Sequence, residues 1–163
     1  MSSMLQTFSD GGARGNPGPA AIGVVLCDEK GNVLQEESRT IGHRTNNQAG
    51  YEAMLLALQL ALQRKARRLK CHADSELQIY QLQGVYRIKD VYLKALAEKV
   101  KSLASQFESI TFKQLPREHA MIRRADKLLN QTLDKAKREG IKKGDAAQKS
   151  PGRPGDFVQE DLF

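Results

Sequence analysis

Residues that build disulfide frameworks and metal centres are scarce in this sequence. Two of the 163 residues are cysteine and three are histidine, and they form no cluster with the spacing of a zinc site. Cys27 and Cys71 each lie within an apolar run, where we expect them to be small buried side chains of the core. A disulfide-stapled or zinc-bound fold is therefore not expected.

Long apolar runs are also absent. No stretch approaches the ~20 residues that cross a bilayer as a helix, and residues 1–7 lack the basic-then-apolar pattern of a signal peptide. With 163 residues, 40% of them hydrophobic and 28% charged, the chain is typical of one soluble globular domain. We expect a cytoplasmic monomer without a membrane anchor.

Positive charge predominates in the chain. It carries 26 Lys and Arg against 19 Asp and Glu, a net charge of +7. Residues 140–163 contain equal numbers of basic and acidic side chains, so the excess belongs to the preceding part of the chain. Clustered basic side chains favour a polyanionic partner, because they release counterions from phosphates.

The apolar periodicity predicts nine elements in the order β-β-β-α-β-α-α-β-α. The predicted strands are 4–9, 20–27, 33–41, 69–73 and 110–115, and the predicted helices are 46–64, 75–82, 91–107 and 123–138. Asn46 and Asn47 are good N-cap residues for the first helix. The order indicates an α/β fold with a mixed five-stranded sheet, three antiparallel strands and then parallel ones, flanked by helices.

Three aspartates stand at the predicted ends of elements. Asp10 and Asp74 follow two strands, and Asp126 is predicted to open the last helix. If the strands are parallel neighbours, their ends form a ligand-binding edge, where carboxylates repel one another unless cations lie between them. Two Mg²⁺ ions about 4 Å apart, or Mn²⁺ as a substitute, would suit hydrolysis of a phosphodiester. The alternative is that each aspartate is an ordinary turn or helix-dipole residue.

Four motifs, in order, resemble those of the type 1 ribonuclease H family in its bacterial and archaeal form. They are FSDGGARGNPG at 8–18, TNNQA at 45–49, ADSEL at 73–77 with QLQG at 81–84 and Lys89, and PREH at 116–119 with ADKLLN at 125–130. The resemblance implies a ribonuclease H-like fold and an endoribonuclease that cuts the RNA strand of RNA/DNA hybrids by two-metal catalysis. Asp10, Asp74 and Asp126 fall on three of the family's four catalytic, metal-binding carboxylates.

The resemblance also implies which residues contact the hybrid, through close backbone approach and amide hydrogen bonds to sugars and bases. The positions are Gly11, Gly12, Arg14, Gly15, Asn16, Asn46, Asn47 and Gln48. His119 falls where the family often carries a His or Arg that assists metal or product handling, which makes it an expected catalytic residue. An incidental loop histidine is the alternative.

The second motif departs from the family pattern at one informative position. The family has a catalytic Glu four residues after the first Asn of this motif, and here that position is Gly50. Glu52 lies about 200° further round the helix and is expected to be a solvated helix residue. The departure implies either slow cleavage by three carboxylates or a module that binds hybrid and barely cuts it.

The fourth motif departs as well. The segment between Arg117 and Asp126 is longer than usual, and Ile122 stands where the family has an asparagine, which alters the expected surroundings of His119. Four lysines either contact phosphates or form a solvated helix face: Lys89, Lys94, Lys99 and Lys101.

The last residues change character again. Residues 1–139 form the predicted domain, and residues 140–163, rich in Gly, Lys, Ser and Pro, are predicted to be a flexible tail. The tail ends in QEDLF, which resembles the peptide by which bacterial replication and repair proteins hold the sliding clamp. Gln159, Leu162 and Phe163 are the expected clamp-binding residues, and an ordinary disordered terminus is the alternative.

These observations support two hypotheses from different classes. The first is a Mg²⁺-dependent RNA/DNA-hybrid ribonuclease whose activity is impaired or altered by Gly50. The second is a non-catalytic hybrid-binding module tethered to the replication clamp. Retention of Asp10, Asp74 and Asp126 favours the first hypothesis, and the missing carboxylate favours the second.

Overall fold

A computed structural model describes residues 4–142 of the chain. The predicted order of nine elements is confirmed: β1 (Met4–Ala13), β2 (Gly18–Asp28), β3 (Val33–Arg44), α1 (Asn46–Gln63), β4 (Arg68–Ala73), α2 (Glu76–Leu82), α3 (Val91–Ala104), β5 (Ser109–Gln114) and α4 (Ala120–Lys142). The strands form a five-stranded sheet in the order β3-β2-β1-β4-β5. No helix within this part of the chain has the length and apolar content needed to cross a membrane.

The sheet is antiparallel on one side and parallel on the other. β2 pairs antiparallel with both β1 and β3, whereas β4 pairs parallel with both β1 and β5. β1 therefore joins the two halves, and its parallel partner β4 ends beside it. The mixed sheet expected from the sequence is confirmed.

Both faces of the sheet are covered by helices. Along β2, Val24 and Leu26 belong to the core that contains α1 and α3, whereas Val25 and Cys27 belong to the core beneath α4. This alternation is the two-residue period of a strand that is buried on both faces. Both cysteines, Cys27 and Cys71, are buried and free, as expected.

Two glycines allow the helices to approach the sheet at backbone distance. A Cβ on Gly11 would lie 2.3 Å from the carbonyl group of Ala49 in the first turn of α1. A Cβ on Gly23 would lie 2.3 Å from the carbonyl oxygen of Ala125 in α4. Gly23 is the antiparallel partner of Asp10, so both close contacts flank the same point of β1.

Several predicted boundaries were wrong at the ends of elements. β1 does not end at Asp10 but continues to Ala13, because its pairing with β2 extends to the Ala13–Ala20 pair. The N-cap of α1 is Thr45 and not Asn46 or Asn47. The Thr45 hydroxyl accepts a hydrogen bond from the backbone N–H of Gln48 at 3.1 Å, and the Gln48 amide oxygen accepts one from the backbone N–H of Thr45 at 2.9 Å, which forms a capping box.

The last helix is longer than predicted in both directions. It begins at Ala120 and ends at Lys142, so Asp126 lies inside the helix and does not open it. The helix also continues past the predicted domain boundary at residue 139, as far as Lys142. The remainder of the predicted tail, with the possible clamp-binding peptide at 159–163, lies outside the described residues.

Glu52 is not the solvated helix residue that the sequence suggested. It is 2% exposed, and its carboxylate oxygen accepts a hydrogen bond from Nε of the equally buried Arg44 at 2.9 Å. The hydroxyl of Tyr92 lies 3.4 Å from the same oxygen. The pair ties the end of β3 to α1 and α3 behind the helix N-terminus, because Arg44 directly precedes the Thr45 cap.

We expect Arg44→Met to lower the free energy of unfolding by about 3–5 kcal/mol, because it leaves a buried carboxylate without its guanidinium partner. The double variant Arg44→Met/Glu52→Leu should lower the free energy of unfolding by less, because it leaves no buried charge without a partner. Urea denaturation measures both values. The exposed pair Arg67–Glu108, with side chains 69% and 56% exposed, provides the control: Arg67→Met changes stability by less than ~1 kcal/mol. Equal losses in Arg44→Met and Arg67→Met contradict the assignment.

Candidate active site

A cavity of about 450 Å³ opens where the parallel pairing of β1 with β4 stops. Their parallel pairing stops at Phe8 and His72, two residues before Asp10 and Asp74. Both aspartates line the cavity, and Asp126 reaches it from α4. The three carboxylates that the sequence singled out are therefore brought to one place by three different elements.

Asp10 is the most perturbed of the three carboxyl groups. The pKa of Asp10 is raised to about 8. Burial is the largest cause of this shift. The charge of Asp74 raises the pKa further, and so do a hydrogen bond with Asp126 and the charge of Asp126. The backbone N–H of Gly11 opposes the shift only in part. With a pKa of about 8, Asp10 is therefore protonated in the free chain at neutral pH.

This crowding suits a divalent cation, although the chain alone does not complete its ligand set. Within residues 4–142 no three acidic, histidine or cysteine side chains stand close enough to form a finished metal centre. The guanidinium of Arg117 lies 3.5 Å from Asp74 but is 86% exposed, and it therefore offsets little of the negative charge. Carboxylate oxygens that repel one another across a cavity fit a hard cation such as Mg²⁺ or Mn²⁺.

The corner of the cavity beside α1 carries no carboxylate. Gly50 lies there in the first turn of the helix and faces Gln78 of α2, whose Nε2 donates a hydrogen bond to the Gly50 carbonyl at 3.0 Å. Gln81, one helical turn further along, accepts a 2.7 Å hydrogen bond from the hydroxyl of Tyr51. Both glutamines are buried. Neither glutamine was expected in the site. Their spacing of three residues in α2 places both amides on one face of the helix, which the sequence could have indicated.

The expected hybrid-contacting residues divide into two groups. Gly11, Gly12, Asn46 and Asn47 line the cavity. The others do not line it: Arg14, Gly15, Asn16 and Gln48.

The second group is engaged in structural contacts near the cavity. Arg14 forms a 2.8 Å ion pair with Asp134 of α4, and Gln48 belongs to the capping box. The Asn16 side chain accepts a hydrogen bond from the Asn46 backbone N–H at 2.9 Å. These contacts brace the loop after β1 against the N-terminus of α1, so the loop is held next to the cavity.

His119 does not line the cavity either. Its Nδ1 accepts a hydrogen bond from the backbone N–H of Met121 at 3.2 Å, at the start of α4. Its ring stacks on Phe8 with centroids 5.7 Å apart, and His72 stacks on Phe8 at 4.5 Å. Burial lowers the pKa of His72. A role of His119 in metal or product handling stays a prediction.

Ile122 accounts for part of the departure in the fourth motif. It is fully buried and packs with Phe8 and Val25 beneath α4. The position thus anchors the helix to the sheet instead of presenting a polar side chain, and it holds α4 with Asp126 against β1.

A family model described as reverse transcriptase-like matches residues 8–132, most of the chain. The solved RNase H1 of the halophilic archaeon Halobacterium salinarum is 36% identical with a TM-score of 0.78, and the match covers 81% of this chain and 98% of that chain. The chain belongs to the type 1 ribonuclease H family. The resemblance of the four motifs is thereby confirmed, and so is the ribonuclease H-like fold.

Two further solved ribonuclease H structures agree with this assignment. The N-terminal RNase H domain of Rv2228c from Mycobacterium tuberculosis is 34% identical with a TM-score of 0.79, covering 84% of this chain and 98% of that one. LC11-RNase H1, solved in complex with an RNA/DNA hybrid, is 43% identical with a TM-score of 0.75, covering 81% and 98%.

Two of the curated relatives are longer proteins. Ribonuclease HI of Halobacterium salinarum is 37% identical over 132 residues, which are 81% of this chain and 65% of that protein. Bifunctional protein Rv2228c of Mycobacterium tuberculosis is 36% identical over 152 residues, 90% of this chain and 41% of that protein. This chain thus spans two thirds or less of the length of each.

We expect Asp10→Asn to stabilise the metal-free protein at alkaline pH. Because the pKa of Asp10 is raised, the stability that its protonated form contributes is complete below about pH 4 and is lost as the pH rises through about 8. Asparagine never acquires the charge, so we expect a gain of at least ~1 kcal/mol, about 3 °C in Tm, near pH 8. Thermal denaturation in EDTA near pH 5 and near pH 8 measures the change.

The exposed carboxylate of Glu108 provides the matched control, since Glu108→Gln removes a charge that no other carboxylate crowds. Its Tm relative to the unsubstituted chain changes little between the two pH values. Added Mg²⁺ raises the Tm of the unsubstituted chain and of Glu108→Gln, but not that of Asp10→Asn. If Asp10→Asn follows the unsubstituted chain at both pH values and in Mg²⁺, the crowded cation site is wrong.

Proposed function

We propose that this chain is an endoribonuclease that hydrolyses the RNA strand of RNA/DNA hybrids. The observation that carries the proposal is the meeting of Asp10, Asp74 and Asp126 in one cavity, with the pKa of Asp10 raised by burial and by the other two carboxylates. Membership of the ribonuclease H family supports the reaction class, and the hybrid in the LC11-RNase H1 complex supports the substrate. The positive charge of the chain favours a polyanion.

Asp10, Asp74 and Asp126 would hold the divalent cations. Two cations bound there supply charge stabilisation to the attacking and leaving oxygens of a phosphodiester. In the free chain the proton on Asp10 reduces the negative charge that an approaching nucleic acid meets. Asp10 would release this proton when divalent cations bind to the site.

The cavity rim would position the nucleic acid. Gly11 and Gly12 line the cavity, where their backbone groups could contact a sugar-phosphate strand. Asn46 and Asn47 offer amide groups that bond ribose hydroxyls and base edges. These residues bind and orient the substrate, while the carboxylates act on one phosphodiester.

A second candidate function is a hybrid-binding module with little or no cleavage. The specific observation in its favour is the corner at Gly50, where a buried neutral amide, Gln78, stands and no carboxylate does. A site with one carboxylate fewer attracts cations less strongly. Hydrolysis is then slower even when hybrid binding is intact.

We expect Gly50→Glu to raise the rate of hybrid cleavage about tenfold, equivalent to ~1.4 kcal/mol. A Cβ at position 50 has room, since its nearest neighbour, the Gln78 amide oxygen, is 3.5 Å away. We expect Asp10→Asn to lower the rate at least ~100-fold, because it removes a carboxylate that would hold the divalent cations. Cleavage of a labelled hybrid in Mg²⁺ and in Mn²⁺ measures both variants against the unsubstituted chain.

The same assay separates the two candidate functions. Tight hybrid binding without cleavage in either metal establishes the binding module. If Gly50→Glu does not raise the rate and Asp10→Asn does not lower it, the site itself is misassigned. A duplex DNA of the same sequence is the substrate control, and we expect it to remain uncut.

We also propose that the C-terminal peptide binds the bacterial sliding clamp, which would tether the ribonuclease at replication forks. A short extended peptide places Leu162 and Phe163 in an apolar pocket, and the tether raises the local concentration of the enzyme. Deleting residues 159–163 is expected to abolish association with the purified clamp, measured by surface plasmon resonance, without changing cleavage of free hybrid. Leu162→Ala/Phe163→Ala should match the deletion, and Glu160→Ala should not. Persistent binding of the deleted chain excludes the peptide.

A further inference from the structure

The corner between α1 and α2 holds a polar group that the proposed mechanism does not use. We propose that Gln78 is a positioning residue of the site, whose amide oxygen serves at the Gly50 corner as a neutral acceptor for a water bound to the divalent cation. The inference rests on the proposed function. It assigns a role to Gln78, which occupies the corner where the family has a catalytic Glu.

The orientation of the Gln78 side-chain amide is fixed by one hydrogen bond, and a second hydrogen bond holds its backbone. Its Nε2 donates to the Gly50 carbonyl at 3.0 Å, and the reverse orientation would bring two oxygens together. Its backbone N–H donates to the hydroxyl of Ser75, the N-cap of α2, at 3.2 Å. The amide oxygen is therefore held on the side of position 50, 3.5 Å from where a Cβ would stand.

The surroundings of this oxygen favour a bound water that carries donors. Gln78 is 4% exposed, and Ser9, which lines the same cavity, is 1% exposed. Within residues 4–142 the Ser9 hydroxyl has no hydrogen-bond partner, although buried polar groups normally have one. A cavity that is lined by the buried polar residues Gln78 and Ser9 suits a water with several protein partners, and a cation-bound water is a strong donor.

A neutral acceptor has an electrostatic consequence for the site. Asp10 already faces two other carboxylates in the cavity. An amide oxygen at the Gly50 corner orients a water without adding negative charge, whereas a carboxylate at position 50 or 78 strengthens cation binding by its charge. Gln78 therefore sets how much Mg²⁺ the site requires.

The test compares Gln78→Met, which keeps the length and removes both polar atoms, with Gln78→Glu, which adds a charge. The first readout is the Mg²⁺ concentration that gives half of the maximal rise in Tm, and the second is kcat and KM for a hybrid. We expect Gln78→Met to raise the half-maximal concentration and lower kcat, each about tenfold, with KM nearly unchanged. We expect Gln78→Glu to lower the half-maximal concentration several-fold, since it adds an attractive charge.

A merely structural role predicts a different pattern. Both Gln78 variants would then lower the metal-free Tm, and their half-maximal Mg²⁺ concentrations would stay within about twofold of the value for the unsubstituted chain. This outcome overturns the inference. Asp10→Asn distinguishes this outcome from failure of the proposed function. If Asp10→Asn abolishes the Mg²⁺ response and the Gln78 variants do not alter it, only the inference fails. If Asp10→Asn leaves the response intact, the proposed cation site fails and the inference with it.

A double substitution tests whether positions 50 and 78 share one corner. Gly50→Glu and Gln78→Glu are each expected to lower the half-maximal Mg²⁺ concentration. Together they would place two carboxylates side by side, so the double variant should bind Mg²⁺ no more tightly than the better single variant. Additive effects show that the two positions act on separate places and overturn the inference.

Discussion

The close packing of two helices against β1 is the constraint on which the rest of the site depends. Gly11 and Gly23 have no side chains, and so the backbones of α1 and α4 approach the sheet on either side of Asp10. A Cβ at either glycine would overlap a helix carbonyl group and push that helix outward. Asp126 reaches Asp10 only because α4 lies this close, and Gly50 faces the same cavity only because α1 does.

That packing creates an electrostatic problem which the chain solves in part. Carboxylates from β1, from the end of β4 and from α4 meet in a partly buried cavity, and the pKa of Asp10 is raised to about 8 as a result. The proton on Asp10 relieves the repulsion in the free chain, and cations would relieve it in the proposed enzyme. The buried Arg44–Glu52 pair stands immediately behind, where it fixes the start of α1 and thus the placement of Gly50.

The Gly50 corner separates this chain from the family pattern on which its function is proposed. A glycine and a buried glutamine stand where the motif resemblance implies a carboxylate, and the glutamine is tied to the glycine by a hydrogen bond. The site therefore retains three carboxyl groups and has a neutral amide at the fourth position. This combination is consistent with a hydrolase that needs more Mg²⁺, and it gives the ribonuclease and the binding module a shared structural explanation.

The sequence by itself determined the order of the nine elements, the mixed sheet and the three aspartates, because hydrophobic periodicity and local motifs are properties of neighbouring residues. Tertiary structure alone decided which side chains meet. From the sequence, Glu52 is expected to be a solvated helix residue, but in the fold it is buried against Arg44 of β3. In the sequence Gln78 is an ordinary helix residue, but in the fold it is hydrogen-bonded to Gly50. The extent of β1 and α4 was likewise set by pairing with β2 and by packing of Ile122 on the sheet. Burial and partners across the fold, which no local pattern contains, gave these residues their roles.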